Sequence, residues 1–207
     1  MIIDPKIEEY LHKQTPPADP IFLEMERLAA LTGFPIVGPL VGSLLELLVR
    51  ASGARTVFEM GSGFGYSAAW MARGLPDGGR ILCTDRSEDN KRRAMDFLAR
   101  AGLADRVDYR IGDALDTFHH WTGSPDMVFV DLEKGHYPAA IRAGLERLPR
   151  GGLLAADNML WFGRVIEDGA DAETKSVLEA TRLLFADVRY RTVLLPLRYG
   201  VSVSVRI

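Results

Sequence analysis

The chain has 207 residues, of which 47% are hydrophobic and 26% charged, and its formal net charge at pH 7 is -3. This length and composition are typical of one soluble globular domain with a sizeable core. The small negative charge excludes any general attraction to nucleic acid or to acidic lipid. We therefore predict a single domain over residues 1–207, with N-terminal helices over 1–53 and the core over 54–207.

No segment is predicted to direct the chain into or across a membrane. The first 13 residues contain Asp4, Glu8 and Glu9 and lack the continuous apolar run of a secretory signal. The most apolar long segment, residues 35–49, is interrupted by polar residues and is too short to span a bilayer. The single Cys83 lies in an apolar run, which predicts a buried thiol and no intrachain disulfide. We expect a cytoplasmic protein without a membrane partner.

The N-terminal quarter of the chain is predicted to be helical. Apolar residues recur at helical spacing twice within the first 32 residues and indicate two amphipathic helices. Asp19 followed by Pro20 is a cap and first-turn pair for the second of these helices. A third helix is predicted over residues 38–52, and it leads into a strand at Thr56.

From Thr56 onward, β-favouring and helical segments alternate. The β-favouring segments are residues 56–59, 80–84, 107–111, 127–130, 153–156, 191–195 and 200–206. Only four residues separate the last two segments, which predicts a hairpin. The pattern predicts an α/β fold with a doubly wound, Rossmann-like sheet of seven strands, mostly parallel, with an antiparallel C-terminal hairpin strand and helices on both faces.

A glycine-rich turn follows the first predicted strand. The sequence from Glu59 to Ser67, Glu-Met-Gly-Ser-Gly-Phe-Gly-Tyr-Ser, passes from a strand through three glycines into a helix. Such a turn exposes backbone N–H groups and lets a nucleotide-like cofactor approach closely. The dinucleotide pattern G-x-G-x-x-G would require glycine where Tyr66 stands, which weakens an NAD interpretation. A glycine turn without a ligand is the alternative.

Polar residues follow the other predicted strands, at the edge of a parallel sheet where ligands bind. The second strand ends at Asp85, whose carboxylate could accept hydrogen bonds from both hydroxyls of a ribose. Asp113 and Ala114 follow the third strand, where an adenine would be held. These positions predict a nucleoside-binding edge.

A second polar group follows the fourth and fifth strands. Asp131, Asp157 and Asn158 would meet at one point if these strands are neighbours, about 4.8 Å apart. Two carboxylates and an amide oxygen suit a hard cation such as Mg²⁺. An isolated Asp-Asn pair more often forms a capping turn, but Asp131 at the adjacent strand end favours the metal interpretation.

Lys134 follows Asp131 by three residues, so its amine can fold back over the same site. Most lysines are solvated on the surface. A neighbouring metal cation would lower the pKa of this amine, which would make Lys134 a candidate general base.

Three motifs together resemble the cation-dependent O-methyltransferases, the family of the catechol and caffeoyl-CoA O-methyltransferases. The motifs are residues 58–67, residues 126–134 with Tyr137, and residues 157–165. The resemblance runs from about Gly42 to the C-terminus. It departs from the family at Leu132 and Glu133, where alanine and aspartate are usual, and at Arg198-Tyr199-Gly200, where Gly-Asp-Gly is usual.

The resemblance implies a role for each matching residue. Cofactor-binding residues for S-adenosylmethionine would be Glu59, Gly61, Gly63, Ser67, Asp85, Asp113, Ala114 and Asp131. A divalent cation, expected to be Mg²⁺, would be held by Asp131, Asp157 and Asn158. Lys134 would take the proton from the accepting hydroxyl, and Trp161 would line the acceptor pocket.

The metal would chelate two adjacent oxygens of the acceptor, which predicts a small catechol-like molecule with a vicinal diol. Plant members carry a longer segment at the position of residues 166–172, so a bulky CoA ester is not the expected acceptor. The apolar N-terminal helices and the habits of the family suggest a homodimer.

Other functions stay open at this point. Some bacterial relatives methylate hydroxylated uridine in tRNA, and a phosphate-binding face could be supplied by Arg92, Arg93, Arg100, Arg106 and Arg110. The acidic charge balance argues against nucleic acid. A nicotinamide-dependent oxidoreductase would also use Asp85 for a ribose but would leave the Asp131 group unexplained. A catalytically silent binding protein is a third alternative.

Overall fold

A computed structural model describes residues 3–15 and 19–207. Residues 1–2 and 16–18 of the predicted N-terminal segment lie outside these ranges. Its described residues form three helices: α1 (Pro5–Gln14), α2 (Pro20–Thr32) and α3 (Gly38–Ser52). The Asp19 carboxylate accepts a hydrogen bond of 2.9 Å from the Ile21 N–H and so caps α2, as predicted.

Seven strands form one sheet: β1 (Thr56–Met60), β2 (Arg80–Asp85), β3 (Val107–Ile111), β4 (Met127–Val130), β5 (Leu153–Ala156), β6 (Tyr190–Leu195) and β7 (Val201–Arg206). Their order across the sheet is β3-β2-β1-β4-β5-β7-β6. Strands β1 to β5 pair in parallel, whereas β7 runs antiparallel to both β5 and β6. The predicted doubly wound sheet with an antiparallel hairpin strand is confirmed.

Five further helices connect the strands: α4 (Tyr66–Gly74), α5 (Glu88–Arg100), α6 (Ala114–His120), α7 (Tyr137–Arg147) and α8 (Ala172–Ala186). Short 3-10 segments occupy Ala104–Arg106, Lys134–His136 and Trp161–Ile166. The sequence pattern did not indicate α6, which begins where the Asp113 carboxylate accepts a hydrogen bond of 3.0 Å from the Asp116 N–H. It also missed the 3-10 turn that carries Lys134.

The sheet is covered on both faces, and successive residues of β1 point to opposite layers. Val57 belongs to the core that includes buried residues of α2 to α5, whereas Phe58 belongs to the core that includes buried residues of α6 to α8. By the same alternation, Glu59 points into the first layer together with its strand neighbour Cys83. A carboxylate is therefore placed at the carboxyl end of the central strand inside an apolar layer.

The chain changes direction across the sheet between β3 and β4. It moves outward from β1 to β2 and β3, and then returns to place β4 on the other side of β1. In such a sheet a crevice opens beyond the carboxyl ends of the two strands at this switch point, here β1 and β4. The residues that follow β1 and β4, from Gly61 and from Asp131, border that crevice.

Among residues 3–15 and 19–207, no helix is long and apolar enough to cross a membrane.

The packing of α3 against α4 depends on a glycine. A Cβ at Gly42 would lie 2.4 Å from Cδ1 of Trp70, whose ring is buried in the core. Alanine in a helix is normally more stable than glycine by about 0.5–1 kcal/mol, but overpacking a core costs about 1–3 kcal/mol. The clash outweighs the helix propensity here.

We expect Gly42→Ala to lower the free energy of unfolding by about 1–2 kcal/mol, measured by urea denaturation. Leu47→Ala, on the exposed side of the same helix, is the control and should change it by less than about 0.5 kcal/mol. An unchanged or raised unfolding midpoint for Gly42→Ala would contradict the close contact with Trp70.

Candidate functional site

A cleft of about 960 Å³ opens at the carboxyl ends of the strands. Its walls come from the glycine turn, from the segment between α2 and α3, from residues 157–162 and from the β6–β7 loop. Glu8 and His12 of α1 also line it. A smaller cavity of about 260 Å³ is lined by residues 112–115 and shares Gly61, Asp85 and Asp131 with the large cleft. All sequence-predicted site residues except Glu59 line one of these two spaces.

The glycine turn lies directly against the end of β4. Gly61 has a φ of 89°, and a Cβ there would be 2.1 Å from the backbone oxygen of Asp131. The amides of Gly61 and Ser62 donate to the Thr84 carbonyl at 3.2 and 2.9 Å, which ties the turn to β2. No side chain fits at Gly61, so the close approach requires glycine.

Glu59 lies beneath this turn and is fully buried. Neither of its carboxylate oxygens has a hydrogen-bond partner of normal geometry among the described residues. Burial raises its pKa to about 7, although the nearby Ser62 and Ser67 hydroxyls oppose the shift. An unpaired carboxyl group at this depth is costly for a purely structural residue, so its position indicates a binding role.

Asp85, at the end of β2, orients the glycine turn from the other side. Its carboxylate accepts hydrogen bonds from the amides of Gly63 at 3.1 Å and Ser87 at 2.8 Å, and from the Asn90 side chain at 3.1 Å. Because it lines both cavities, it lies between the two parts of the crevice. Its predicted contact with a ribose stays a prediction.

Asp113 and Ala114 lie in the smaller cavity, at the start of α6. One Asp113 oxygen caps the helix, and the other accepts a hydrogen bond of 2.5 Å from Arg86. The Asp116 amide and the Arg86 guanidinium hold the pKa of Asp113 below its usual value. Both oxygens thus have protein partners, and sequence reasoning missed Arg86. The adenine contact stays a prediction.

Asp131, Asp157 and Asn158 follow the neighbouring strands β4 and β5 and line the same part of the cleft. Asp157 is 3% exposed; its Oδ2 accepts a hydrogen bond of 2.8 Å from the Asn158 side chain, whereas its Oδ1 has no partner among the described residues. Burial, reinforced by the Asp131 charge, raises the pKa of Asp157 to about 7. Burial also raises the pKa of Asp131, against the effect of Lys134.

These residues form a donor set that fits a hard cation. The Asp157 carboxylate is buried and that of Asp131 is half-buried, and the Asp131 charge disfavours the ionised form of Asp157. Such a pair, with one oxygen that lacks a partner, is stabilised by a bound positive ion. Carboxylates, histidines and cysteines alone do not complete the site, because among residues 3–15 and 19–207 no three His, Cys, Asp or Glu side chains lie together as metal ligands. A third protein ligand would therefore have to be the Asn158 amide.

Lys134 is not a solvated surface lysine, since it is only 5% exposed. Its Nζ donates to the Tyr137 hydroxyl at 2.6 Å and to the Leu132 carbonyl at 3.0 Å, and lies 3.7 Å from Asp131 Oδ1. The Tyr137 hydroxyl in turn donates to the Asp157 carbonyl at 2.9 Å. Burial lowers the pKa of Lys134, although Asp131 and Asp157 oppose the shift.

The far wall of the cleft is aromatic and has an unusual backbone. Trp161 and Phe162 have ring centroids 5.3 Å apart, and Phe162 and Tyr199 have centroids 3.9 Å apart. Among the described residues, four residues other than glycine have positive φ, and all four line this cleft: Asn158, Trp161, Phe162 and Arg198. Strained conformations of this kind cluster at functional sites.

The five arginines of the alternative phosphate-binding face already have acidic partners. Arg92 and Arg93 both contact Asp89, and Arg100 contacts Glu24 and Asp96. The remaining two pairs are Arg106 with Asp77 and Arg110 with Asp108. These contacts lower the positive potential available to a nucleic acid.

Comparisons with known proteins give a consistent result. A family model described as O-methyltransferase matches residues 27–207. Caffeoyl-CoA O-methyltransferase 1 of Eucalyptus globulus is 33% identical over 179 residues, which are 80% of this chain and 72% of that protein. The structure of the O-methyltransferase from Bacillus cereus in complex with SAH has a TM-score of 0.88 at 29% identity and covers 98% of this chain and 97% of its own.

A second solved structure is the O-methyltransferase TomG from Streptomyces achromogenes, in complex with SAM. It has a TM-score of 0.86 at 26% identity and covers 97% of this chain and 96% of its own. The fold and the glycine turn define a methyltransferase of the Rossmann-like class. The chain belongs to the O-methyltransferase family. The prediction of an S-adenosylmethionine-dependent O-methyltransferase is confirmed at this level, and the oxidoreductase alternative finds no support.

The buried Glu59 predicts a pH dependence of stability. Its pKa is raised from 4.5 to about 7, so the folded state binds this proton more tightly than the unfolded state. The contribution of this proton to the free energy of unfolding is complete below pH 4.5 and is lost as the pH rises through 7. The shift corresponds to at most about 3 kcal/mol.

We measure the free energy of unfolding by urea denaturation without cofactor. Between about pH 4 and about pH 8, we expect it to fall by up to about 3 kcal/mol more for the wild type than for Glu59→Gln. The control is Glu167→Gln, on an exposed segment, which should follow the wild type. Parallel pH profiles for the wild type and Glu59→Gln would show that Glu59 is not the titrating group.

Proposed function

We propose that this protein is a divalent-metal-dependent O-methyltransferase that moves the methyl group of S-adenosylmethionine to a hydroxyl of a small catechol-like acceptor. The observation that carries the proposal is the position of the Lys134 amine. It is buried, and it lies 3.7 Å from Asp131 on the same wall as Asp157 and Asn158. A candidate base thus stands beside a candidate cation site at the switch point of a methyltransferase fold.

The cofactor would occupy the crevice on both sides of Gly61. S-adenosylmethionine supplies an electrophilic methyl group on a sulfonium. Glu59 and Ser67 lie beneath and beside the glycine turn, where they would face the charged amino acid end of the cofactor. Asp85 would bind the ribose, and the cavity at Asp113 and Ala114 would hold the adenine. The SAH and SAM complexes of the Bacillus cereus and Streptomyces achromogenes proteins support this choice of cofactor.

Asp131, Asp157 and Asn158 would hold the divalent cation, which we expect to be Mg²⁺. Such an ion supplies Lewis acidity that lowers the pKa of a hydroxyl bound beside it. The unpartnered Asp157 Oδ1 and the raised pKa of both carboxyl groups support a site that needs a cation. By fixing the position of the cation, these three residues would orient the two adjacent oxygens of the acceptor toward the cofactor.

Lys134 would accept the proton as the hydroxyl oxygen forms its bond to the methyl carbon and the sulfur–carbon bond breaks. A neutral amine is needed for this step, and burial lowers the pKa of Lys134 in the required direction. The Tyr137 hydroxyl, at 2.6 Å, holds the amine in place, and the Asp157 carbonyl fixes that hydroxyl in turn. Tyr137 is therefore a positioning residue in this proposal.

The acceptor is expected to be small and aromatic. Trp161 and the Phe162–Tyr199 pair provide flat apolar walls. The 3-10 segment Trp161–Ile166 is separated from α8 by only residues 167–171, a short connection that leaves little chain to enclose a bulky CoA ester. The expected homodimer, cytoplasmic location and low affinity for tRNA stay predictions. Side chains of Ile7 and Tyr10 that are exposed on α1 are consistent with a dimer contact.

The first test measures methyl transfer from S-adenosylmethionine to 3,4-dihydroxybenzoate with Mg²⁺ or with EDTA. We expect turnover only with the metal. Lys134→Met should lower kcat by about 10²–10⁴-fold with little change in the KM for S-adenosylmethionine, because only the proton acceptor is lost. Lys175→Met, on the exposed face of α8, is the control and should retain activity. Full activity in EDTA or in Lys134→Met would overturn the mechanism.

A second test measures metal binding directly by calorimetric titration of Mg²⁺. Asp157→Asn removes one charged ligand while keeping the shape of the side chain, so we expect the affinity to fall at least about tenfold. Asp168→Asn, on the exposed connection before α8, should bind Mg²⁺ like the wild type. Absence of Mg²⁺ binding to the wild type would remove the metal from the proposal and leave the methyltransferase assignment intact.

A further inference from the structure

We infer that Arg198 binds an anionic group on the acceptor, so that the preferred substrate is a catechol that carries a carboxylate. This inference rests on the function proposed above and deepens it by naming the substrate class. Arg198 stands where the family usually has glycine.

Arg198 lies in the short loop between β6 and β7, and its φ of 48° is in the left-handed region. Such a conformation is rare for a side chain of this size, and here it accompanies a side chain that lines the large cleft. Gly38 makes room for it, because a Cβ at that glycine would lie 3.0 Å from Arg198 Nη1. The packing thus holds a partly buried cation on the cleft wall.

Few groups of the protein neutralise this cation. Among the described residues, its only hydrogen bond runs from Nη1 to the Ile36 carbonyl, and no carboxylate lies within 4.0 Å. The five arginines of the alternative phosphate-binding face, in contrast, all have acidic partners. Most N–H groups of the planar Arg198 guanidinium are therefore available to a ligand. A carboxylate has the right geometry to accept two parallel hydrogen bonds from such a group.

The surroundings of Arg198 favour an aromatic acid over an inorganic anion. The guanidinium carbon lies 5.3 Å from the centre of the Tyr199 ring, and the Tyr199 ring packs against that of Phe162 at an angle of 39°. The hydroxyl-binding residues Lys134 and Asp157 line the same cleft. A ring between the aromatic walls could present its hydroxyls to Lys134 and its carboxylate to Arg198.

A purely structural role for Arg198 makes a different prediction. Its charge stabilises the ionised forms of Asp131 and Asp157 at longer range, and its bond to Ile36 joins the hairpin loop to the segment before α3. If these were its only roles, the loss of Arg198 would weaken the binding of neutral and anionic acceptors equally. A pair of acceptors that differ only in charge therefore separates the two explanations.

The experiment measures binding of 3,4-dihydroxybenzoate and of 3,4-dihydroxybenzamide, which has nearly the same shape but no charge. Calorimetric titrations use the full chain saturated with S-adenosylhomocysteine and Mg²⁺. We expect the wild type to bind the acid about tenfold more tightly than the amide. Arg198→Gln should bring this ratio close to one while the affinity for the amide changes by less than about threefold.

Arg191→Gln is the matched control. Arg191 lies on β6 of the same hairpin, is exposed, has no carboxylate within 4.0 Å among the described residues and does not line the cleft. Its replacement changes the net charge equally and should keep the wild-type ratio. A longer pair, 3-(3,4-dihydroxyphenyl)propionate and its amide, covers the case in which benzoate is too short to reach Arg198.

The outcomes are distinct. A wild-type ratio near one for both pairs, or a ratio that survives Arg198→Gln, would overturn the role of Arg198. The proposed function would stand in that case if the amides are bound and methylated. If neither the acids nor the amides bind or accept a methyl group, the proposed function fails and this inference fails with it.

Discussion

The contact between the glycine turn and the end of β4 is the constraint on which the site depends. Gly61 lies so close to the Asp131 backbone that a single added carbon would be 2.1 Å from its carbonyl oxygen. This approach places the loop after β1, which borders the crevice at the switch point, against the loop after β4, which carries Asp131 and Lys134. Cofactor and acceptor would meet at this junction. Any residue larger than glycine would separate the two loops.

Three ionisable side chains are almost completely withdrawn from water around this junction. Glu59, Lys134 and Asp157 are 0%, 5% and 3% exposed, and in each case burial shifts the pKa toward the neutral form. A fold selected only for stability would replace such groups with apolar residues, because desolvation of a charge is expensive. Their presence agrees with a binding site, in which charged ligands offset this desolvation cost when they bind.

The sequence predicted most of the architecture, because alternating apolar segments and a glycine turn are local signals. It also placed Asp131, Asp157 and Asn158 together, since that step needs only the adjacency of β4 and β5. The role of Tyr137 was missed because it depends on a hydrogen bond to Lys134 across a 3-10 turn that the helical pattern did not reveal. The inward position of Arg198 depends on a left-handed backbone, which propensity assigns to glycine or asparagine and not to arginine.

The first helix has a property that bears on access to the site. Glu8 and His12 line the cleft, yet none of the described residues of α1 is buried. A helix without a buried face gains little from packing, so its opening requires far less free energy than global unfolding. Of the elements that line the cleft, α1 is therefore stabilised least by packing, whereas the strand ends on the opposite side are anchored in the sheet.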